Sequence, residues 1–349
     1  AFGGAGTGAA AGPAASAPVN TPVLFFSRRI GLSGSRAVPI EAGARLTGKA
    51  GRYSVGLLDI QTDALPVAGE RATNFAVVRV KRDILRRSYV GVIGTRRSPT
   101  AGRGPGANDV FGVDANFAFF QNLSLVGYYA GTHTEGRSGD DRSYRARLDY
   151  DADLFGLQIE RLAVGKDFNP EAGFLRRSDF GETLAQMRVS RRPRWRGVRK
   201  VNVEGGLDYI EGGSTGRLEN RQTRVVMRTD LQSGDMWSVG YFRDFELIAT
   251  PFEIASTPVL RGAYRGGTVR AAYALGSQRR VSGEIATARG AFYGGTRTDL
   301  GYRGRAEVTP QLSLEPGISF NRVDLPTGRF TATLASLRGN FSFTPRMLT

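Results

Sequence analysis

The stretch Tyr144-Arg145-Ala146-Arg147-Leu148-Asp149-Tyr150-Asp151 decides the fold class. In an extended chain successive side chains point to opposite faces, so Tyr144, Ala146, Leu148 and Tyr150 share one face and Arg145, Arg147, Asp149 and Asp151 the other. The first face suits lipid and the second suits water. The same alternation sets Val201, Val203, Leu207 and Tyr209 against Asn202, Glu204 and Asp208, and Leu300, Tyr302, Ala306 and Val308 against Asp299, Arg303, Arg305 and Glu307. In a fourth run Leu312, Leu314, Ile318 and Phe320 oppose Ser313, Glu315, Ser319 and Asn321, and Pro316, which has no N–H for the ladder, predicts a bulge. Two runs are less regular. The apolar set changes parity near Ala335 and Ser336, and Phe75, Val77, Arg79 and Lys81 put charge on a face that begins apolar, as strands leaving a hydrocarbon layer would.

Units of about ten alternating residues closed by turns are the pattern of an antiparallel up-and-down transmembrane β-barrel. Counting runs predicts about eighteen strands, a size that leaves an aqueous lumen unless something plugs it. Short turns are expected at Ala50–Arg52, Asp83–Arg87, Gln121–Asn122, Asp151–Asp153, Leu231–Asp235, Gly276–Arg279 and Thr309–Pro310. Longer links are expected at Asp63–Ala72, Arg97–Ala107, His133–Arg142, Gly165–Asp179, Gly212–Gly216, Ile248–Pro258, Arg289–Arg297 and Val323–Gly328. In such barrels the short turns face the periplasm. Arg191–Lys200 is longer than its neighbours on that side. Tyr53, Phe119, Phe120, Tyr150, Phe155, Trp237, Phe341 and Phe343 fall near strand ends on the short-turn side, where an interfacial girdle belongs.

The 349 residues include no cysteine and 47 glycines, and no segment approaches the roughly 18 apolar residues of a membrane helix. A membrane passage must therefore be made by strands, and the mean hydropathy of −0.26 suits a wet interior. Residues 1–21, rich in Gly, Ala and Pro, read as a leader or linker, with a first strand at Val23–Ile30 and the barrel domain over residues 22–349. The start carries no basic and apolar secretion signal, which predicts that an upstream segment has been removed. Gly4-Ala5-Gly6 resembles a dinucleotide loop by letters alone.

The net charge of +16 admits nucleic-acid binding as one reading, but the arginines are dispersed and no zinc-knuckle, RNP-type or helix-turn-helix spacing accompanies them. Lysine occurs only at Lys49, Lys81, Lys166 and Lys200, and guanidinium groups suit a charged lumen.

At Leu24–Gly31 (LFFSRRIG) the chain begins to resemble a family of bacterial outer-membrane barrels of unassigned function that usually follows a family-nine-type carbohydrate-binding module. The likeness continues at Gly43–Lys49 (GARLTGK), Ser54–Leu58 (SVGLL), Asn74–Asp83 (NFAVVRVKRD) and Asp167–Arg177 (DFNPEAGFLRR). It implies outer-membrane lipid as the partner and carbohydrate bound through an upstream module; no nucleic acid and no cofactor are expected. It also implies a fragment of a slightly larger barrel, because Phe343–Thr349 reads as a turn leading onward.

The loop Gly165–Asp179 sets Lys166, Asp167, Asn169, Glu171, Arg176 and Arg177 beside Phe168 and Phe174. Polar groups around aromatic faces suit a sugar ligand, a constriction folded into the lumen, or a cap pinned by its own Asn-Pro turn. Arg45, Lys49, Arg79, Lys81, Arg145, Arg147, Arg303 and Arg305 are the candidate lumen or rim cations, with Asp149, Asp151, Glu204, Asp208 and Glu307 as counter-charges. Their balance predicts a preference for anionic solutes.

No enzyme is expected. The alternative is a rim-site hydrolase using His133, the single histidine, beside Thr132, Thr134, Glu135, Asp140 and Asp141. A third reading is a soluble basic β protein that binds nucleic acid. Cys and His metal sites are excluded by count, and Glu135, Asp140 and Asp141 lack EF-hand spacing. The reading preferred is an outer-membrane pore or the anchor of a carbohydrate-binding module.

Overall fold

In the computed structural model, residues 20–100, 106–344 and 347–348 are described; the expected leader up to residue 19, with Gly4–Gly6, lies outside them. The described residues contain no helix long and apolar enough to cross a membrane, a statement that leaves membrane-crossing strands untouched.

The fold is all-β, an antiparallel up-and-down succession of strands. The first seven are β1 (Ile40–Ala50), β2 (Tyr53–Thr62), β3 (Thr73–Leu85), β4 (Ser88–Pro99), β5 (Asn108–Phe119), β6 (Leu123–Thr134) and β7 (Arg142–Asp151). Then come β8 (Phe155–Val164), β9 (Phe180–Arg191), β10 (Val198–Gly212), β11 (Leu218–Leu231) and β12 (Met236–Ile248). The last are β13 (Gly262–Leu275), β14 (Val281–Phe292), β15 (Gly295–Glu307), β16 (Leu312–Leu325) and β17 (Gly328–Thr344). With Met347–Leu348 paired to β17, eighteen strands form this succession among the described residues, and Leu32–Ser33 with Arg36–Ala37 and Phe252–Ile254 with Thr257–Val259 form two separate short ladders.

Two compact units can be separated, one built on residues up to Tyr150 with Ile159–Thr183 and Glu211–Arg217, the other on Asp151–Gln158, Leu184–Ile210 and everything from Leu218. In the first unit β1 to β7 pair each with the next. Register aligns the outer face across strands: Val113 faces Tyr129, which faces Tyr144, and all three are exposed. In the second unit β11 to β17 pair in the same way, with Val225, Tyr241 and Val269 in one outer row and Ile285, Tyr302 and Ile318 in another.

Four expectations are corrected. Val23–Ile30 is not a strand: Val23 makes one bridge to Phe174, Ser27–Arg29 is a 3-10 turn, and the segment lies on the inner face of the first unit. There Phe25 and Ile30 pack with Phe75, Val77 and Ala172, against Leu58, Ile60 and Ile93. The same packing explains β3, whose Phe75 and Val77 belong to the inner face and are covered by the chain itself. Burial of side chains this size contributes about 1.5–3 kcal/mol each.

The third correction concerns Pro316, which causes no bulge. It faces Leu337, and β16 keeps one register along β15 and β17, because a missing N–H costs one ladder bond without demanding an extra residue. The parity change near Ala335 likewise leaves the β17 register unbroken. The fourth is that Arg289–Arg297 and Val323–Gly328 are not long links. β14 and β15 are joined by Tyr293 (φ 43°) and Gly294 (φ 80°), the left-handed pair that a tight I′ hairpin requires, and β16 and β17 by Pro326 and Thr327.

Candidate functional site

Gly165–Asp179, between β8 and β9, folds onto the inner face of the first unit and is fastened there by polar side chains at the ends of β4, β5 and β6. Asn108, wholly buried on β5, holds three points: its Nδ2 donates to Thr134 Oγ1 (2.8 Å) and to the Asn169 carbonyl (2.8 Å), and its Oδ1 accepts from the Glu171 N–H (3.1 Å). Thr132 Oγ1 accepts from the Asn169 N–H at 3.0 Å. The Glu171 carboxylate takes Arg97 Nη1 at 2.9 Å and Asn169 Nδ2 at 3.0 Å. Asn108 and Thr132 are buried, so their bonds satisfy groups that would otherwise be desolvated without a partner, the costly case.

The N-terminal segment joins the loop edge to edge. Val23 and Phe174 exchange backbone hydrogen bonds at 2.9 and 2.7 Å, and the Phe26 N–H donates to the Ala172 carbonyl at 2.9 Å. Gly173 permits this approach, since a Cβ there would lie 2.0 Å from the Val23 carbonyl oxygen.

The loop residues singled out in the sequence divide accordingly. Phe168 is 2% exposed and acts as a hydrophobic peg, and Asn169 and Glu171 are engaged inside the loop's own bonding. The Asp167 N–H donates to the Asp140 carbonyl at 2.8 Å. Arg177 lies over the Phe180 ring at 5.2 Å. Lys166, Phe174 and Arg176 remain exposed.

Beside this layer the inner face carries the charges. Arg79 and Asp114 form a two-pronged pair, with Nη2 to Oδ2 at 2.8 Å. Arg145 grips Glu160 at 2.6 and 3.0 Å, and Arg147 grips Asp149 at 2.6 and 2.7 Å. Lys81 sits 3.6 Å from the centre of the Tyr89 ring, and Lys49 Nζ pairs with Asp83 at 2.7 Å. Arg45 is exposed on β1. In the second unit Arg188 reaches Asp151 at 2.6 Å, Arg224 reaches Glu204 at 3.2 Å and Arg305 reaches Glu307 at 3.1 Å. Asp208 shares the inner parity of Glu204, with Oδ1 buried and unpaired, while Arg303 shares that of Arg305 and Glu307.

Asp114 and Glu160, the principal counter-charges of the first unit, were missed in the sequence. The signal for Asp114 was present, because it sits between Val113 and Ala115, whereas Glu160 is followed by Arg161, whose charge hides the alternation. His133 lies opposite Asp109 on the outer face near the end of β6, but Asp109 is paired with Arg96 at 3.4 Å and no hydrogen bond joins it to His133 among the described residues. No group of three or more metal-ligating side chains occurs among the described residues.

No protein-family model matches the chain, and no curated protein matches it. Among solved structures it is similar to OccK10 (OpdN) of Pseudomonas aeruginosa, at 16% identity and a TM-score of 0.42 over 88% of this chain and 99% of that one. OpdQ of the same organism aligns at 11% identity and a TM-score of 0.42, over 85% of this chain and 94% of that one. The outer membrane protein OprD, also of that organism, gives 9%, 0.42, 85% and 92% in the same order. Likeness at this level decides nothing about the protein's role, which must be read from the two faces of its own strands.

Proposed function

We propose that the chain is an integral outer-membrane β-barrel whose charged inner face forms a passage for small anionic solutes, narrowed by the folded-in loop Gly165–Asp179. The observation that carries this reading is the segregation of the two faces. Val78, Val92, Phe111, Val113, Leu125, Tyr129 and Tyr144 stand uncovered on the outer face, while Arg79, Asp114, Arg145, Glu160, Arg147 and Asp149 pair on the inner one. A soluble protein rarely leaves so continuous an apolar face bare, whereas lipid is its natural cover.

The net charge of +16 supports an anion preference, since fixed guanidinium groups replace part of the hydration of a passing anion. The test is a reversal-potential measurement on the full-length protein in planar bilayers under a salt gradient. A positive result is conductance with anion preference; silence or cation preference sinks the reading.

The resemblance at Leu24–Gly31 and Asp167–Arg177 supports an added role as the anchor of an upstream carbohydrate-binding module. Cells bearing the full-length protein should then bind insoluble polysaccharide at the envelope, and equal binding without the upstream region would remove that role.

A further inference from the structure

We infer that the hairpin Arg191–Lys200 is a docking site for anionic phospholipid headgroups of the leaflet that adjoins the short-turn end. The inference rests on the membrane reading above and adds a ligand to it.

Its sequence, RRPRWRGVRK, holds six cations and no acid. Among the described residues two of the six are matched by a carboxylate: Arg192 Nη2 lies 2.8 Å from Asp153 Oδ1, and Lys200 Nζ lies 3.7 Å from the same oxygen. Arg191, Arg194, Arg196 and Arg199 are exposed and make no ion pair among the described residues. Four unmatched guanidinium groups this close repel one another, so the arrangement favours an external anion.

Placement says which anion. Side chains alternate along β9 and β10, and on the inner face Ser190 donates to Asn202 Oδ1 at 2.6 Å. Arg191 therefore continues the outer row of Met187 and Val189, and Arg199 that of Val201 and Val203. Each arginine is the first charged step past an apolar, lipid-suited row, the level at which a long cationic side chain reaches phosphate.

Trp195, 65% exposed, stands at the tip between Arg194 and Arg196. An indole beside arginines suits the boundary between headgroups and acyl chains, where its ring is buried and its N–H stays wet. A soluble acidic polymer would explain the charge but neither the tryptophan nor the register with the lipid-facing rows.

The hairpin is also held in position. The Val198 N–H donates to the Trp195 carbonyl at 3.2 Å, and the Gln232 N–H from the next short turn donates to the Gly197 carbonyl at 2.9 Å. Gly197 turns the chain at φ 81°. Guanidinium groups presented on a fixed hairpin can bind the phosphodiester through paired N–H donors.

The experiment folds the full chain, with Trp237→Phe so that Trp195 is the sole indole, into phosphatidylcholine bilayers with or without phosphatidylglycerol. Retained lipids are counted by native mass spectrometry, and Trp195 emission is followed in parallel. Phosphatidylglycerol should be retained preferentially and should blue-shift Trp195, and each Arg→Gln change at 191 or 199 should lower that preference roughly fivefold. R191K/R199K keeps the charge but loses the paired guanidinium donors, and should lower the preference less than either glutamine change does.

Heat-modifiable mobility on gels reports whether each variant is folded. If the glutamine variants do not fold, Trp195 in the unsubstituted hairpin still decides the matter: its blue shift with phosphatidylglycerol must fade as salt rises, and an emission indifferent to phosphatidylglycerol overturns the inference. Insertion with equal retention of the two lipids overturns the inference alone. Failure to insert into either bilayer overturns the membrane reading, and this inference with it.

Discussion

Arg79 and Asp114 meet across a strand that belongs to neither of them. Arg79 is on β3 and Asp114 on β5, and between them on β4 stands Gly91, where a Cβ would lie 2.9 Å from Arg79 Nη2 and 3.0 Å from Asp114 Oδ1. The glycine is the gap that lets two inner-face charges neutralise one another. Asp114→Asn should leave Arg79 unmatched, shift the reversal potential further toward anions, and destabilise the fold by about 1–2 kcal/mol, because the pair is partly screened by solvent. Gly91→Val should part the same two groups sterically. An unchanged reversal potential in both variants would mean that the pair does not face the conducting path.

Asn108 predicts how firmly the loop is held. Asn108→Ala removes three hydrogen bonds at once and strands the Asn169 carbonyl and the Glu171 N–H, at about 1–3 kcal/mol for each group left unsatisfied. Single-channel conductance should rise, and the bond after exposed Lys166 should become open to trypsin. If cleavage appears while conductance stays at the parent level, the loop is not the constriction.

The outer face gives a direct test of its solvent. Val113→Arg, at the middle of β5, should cost about 2–4 kcal/mol of folding into bilayers, whereas Asn116→Arg on the inner face should be tolerated. The comparison is read from the folded fraction by gel mobility against urea. Equal penalties at the two positions would count against lipid on the outer side.

Asp235, in the turn between β11 and β12, should make that turn acid-sensitive. The Gly276 N–H at 2.9 Å foremost, with Ser233, Tyr273 and Arg279, holds its carboxyl below the ordinary aspartate value. A depressed folded-state pKa contributes stability above the unfolded value, and that contribution is lost as pH falls through the folded one. Asp235→Asn should therefore lower the urea midpoint at neutral pH, and the gap from the parent chain should close progressively below the ordinary aspartate pKa. A gap that persists unchanged to strongly acidic pH would assign the effect to geometry and not to charge.

How much was legible in the sequence can be judged from particular residues. Tyr144–Asp151 announced its strand and its faces because alternation is a local property of the backbone. The partners of Arg79 and Arg145 were not legible, since choosing Asp114 and Glu160 requires the register between strands, which no single run contains. Val23–Ile30 was misread as a strand for a different reason. Period-two reasoning takes the polar side as wet, and it cannot foresee that the chain's own apolar segments cover part of that side. Gly294 was legible in principle as a turn former, but Tyr293 in the left-handed region was not, so a tight hairpin was mistaken for a long link.

The backbone bridge between Val23 and Phe174 also has a bearing on how the molecule comes to exist. Contacts between residues about 150 positions apart form late, because the intervening chain must be ordered before the loop it makes can close. The inner layer is thus expected to close after the hairpins of the first unit have paired. A chain in which that layer has not closed would leave Phe75 and Val77 bare on the inner face as well as the apolar row on the outer one. Such a species would be prone to self-association until the layer is in place.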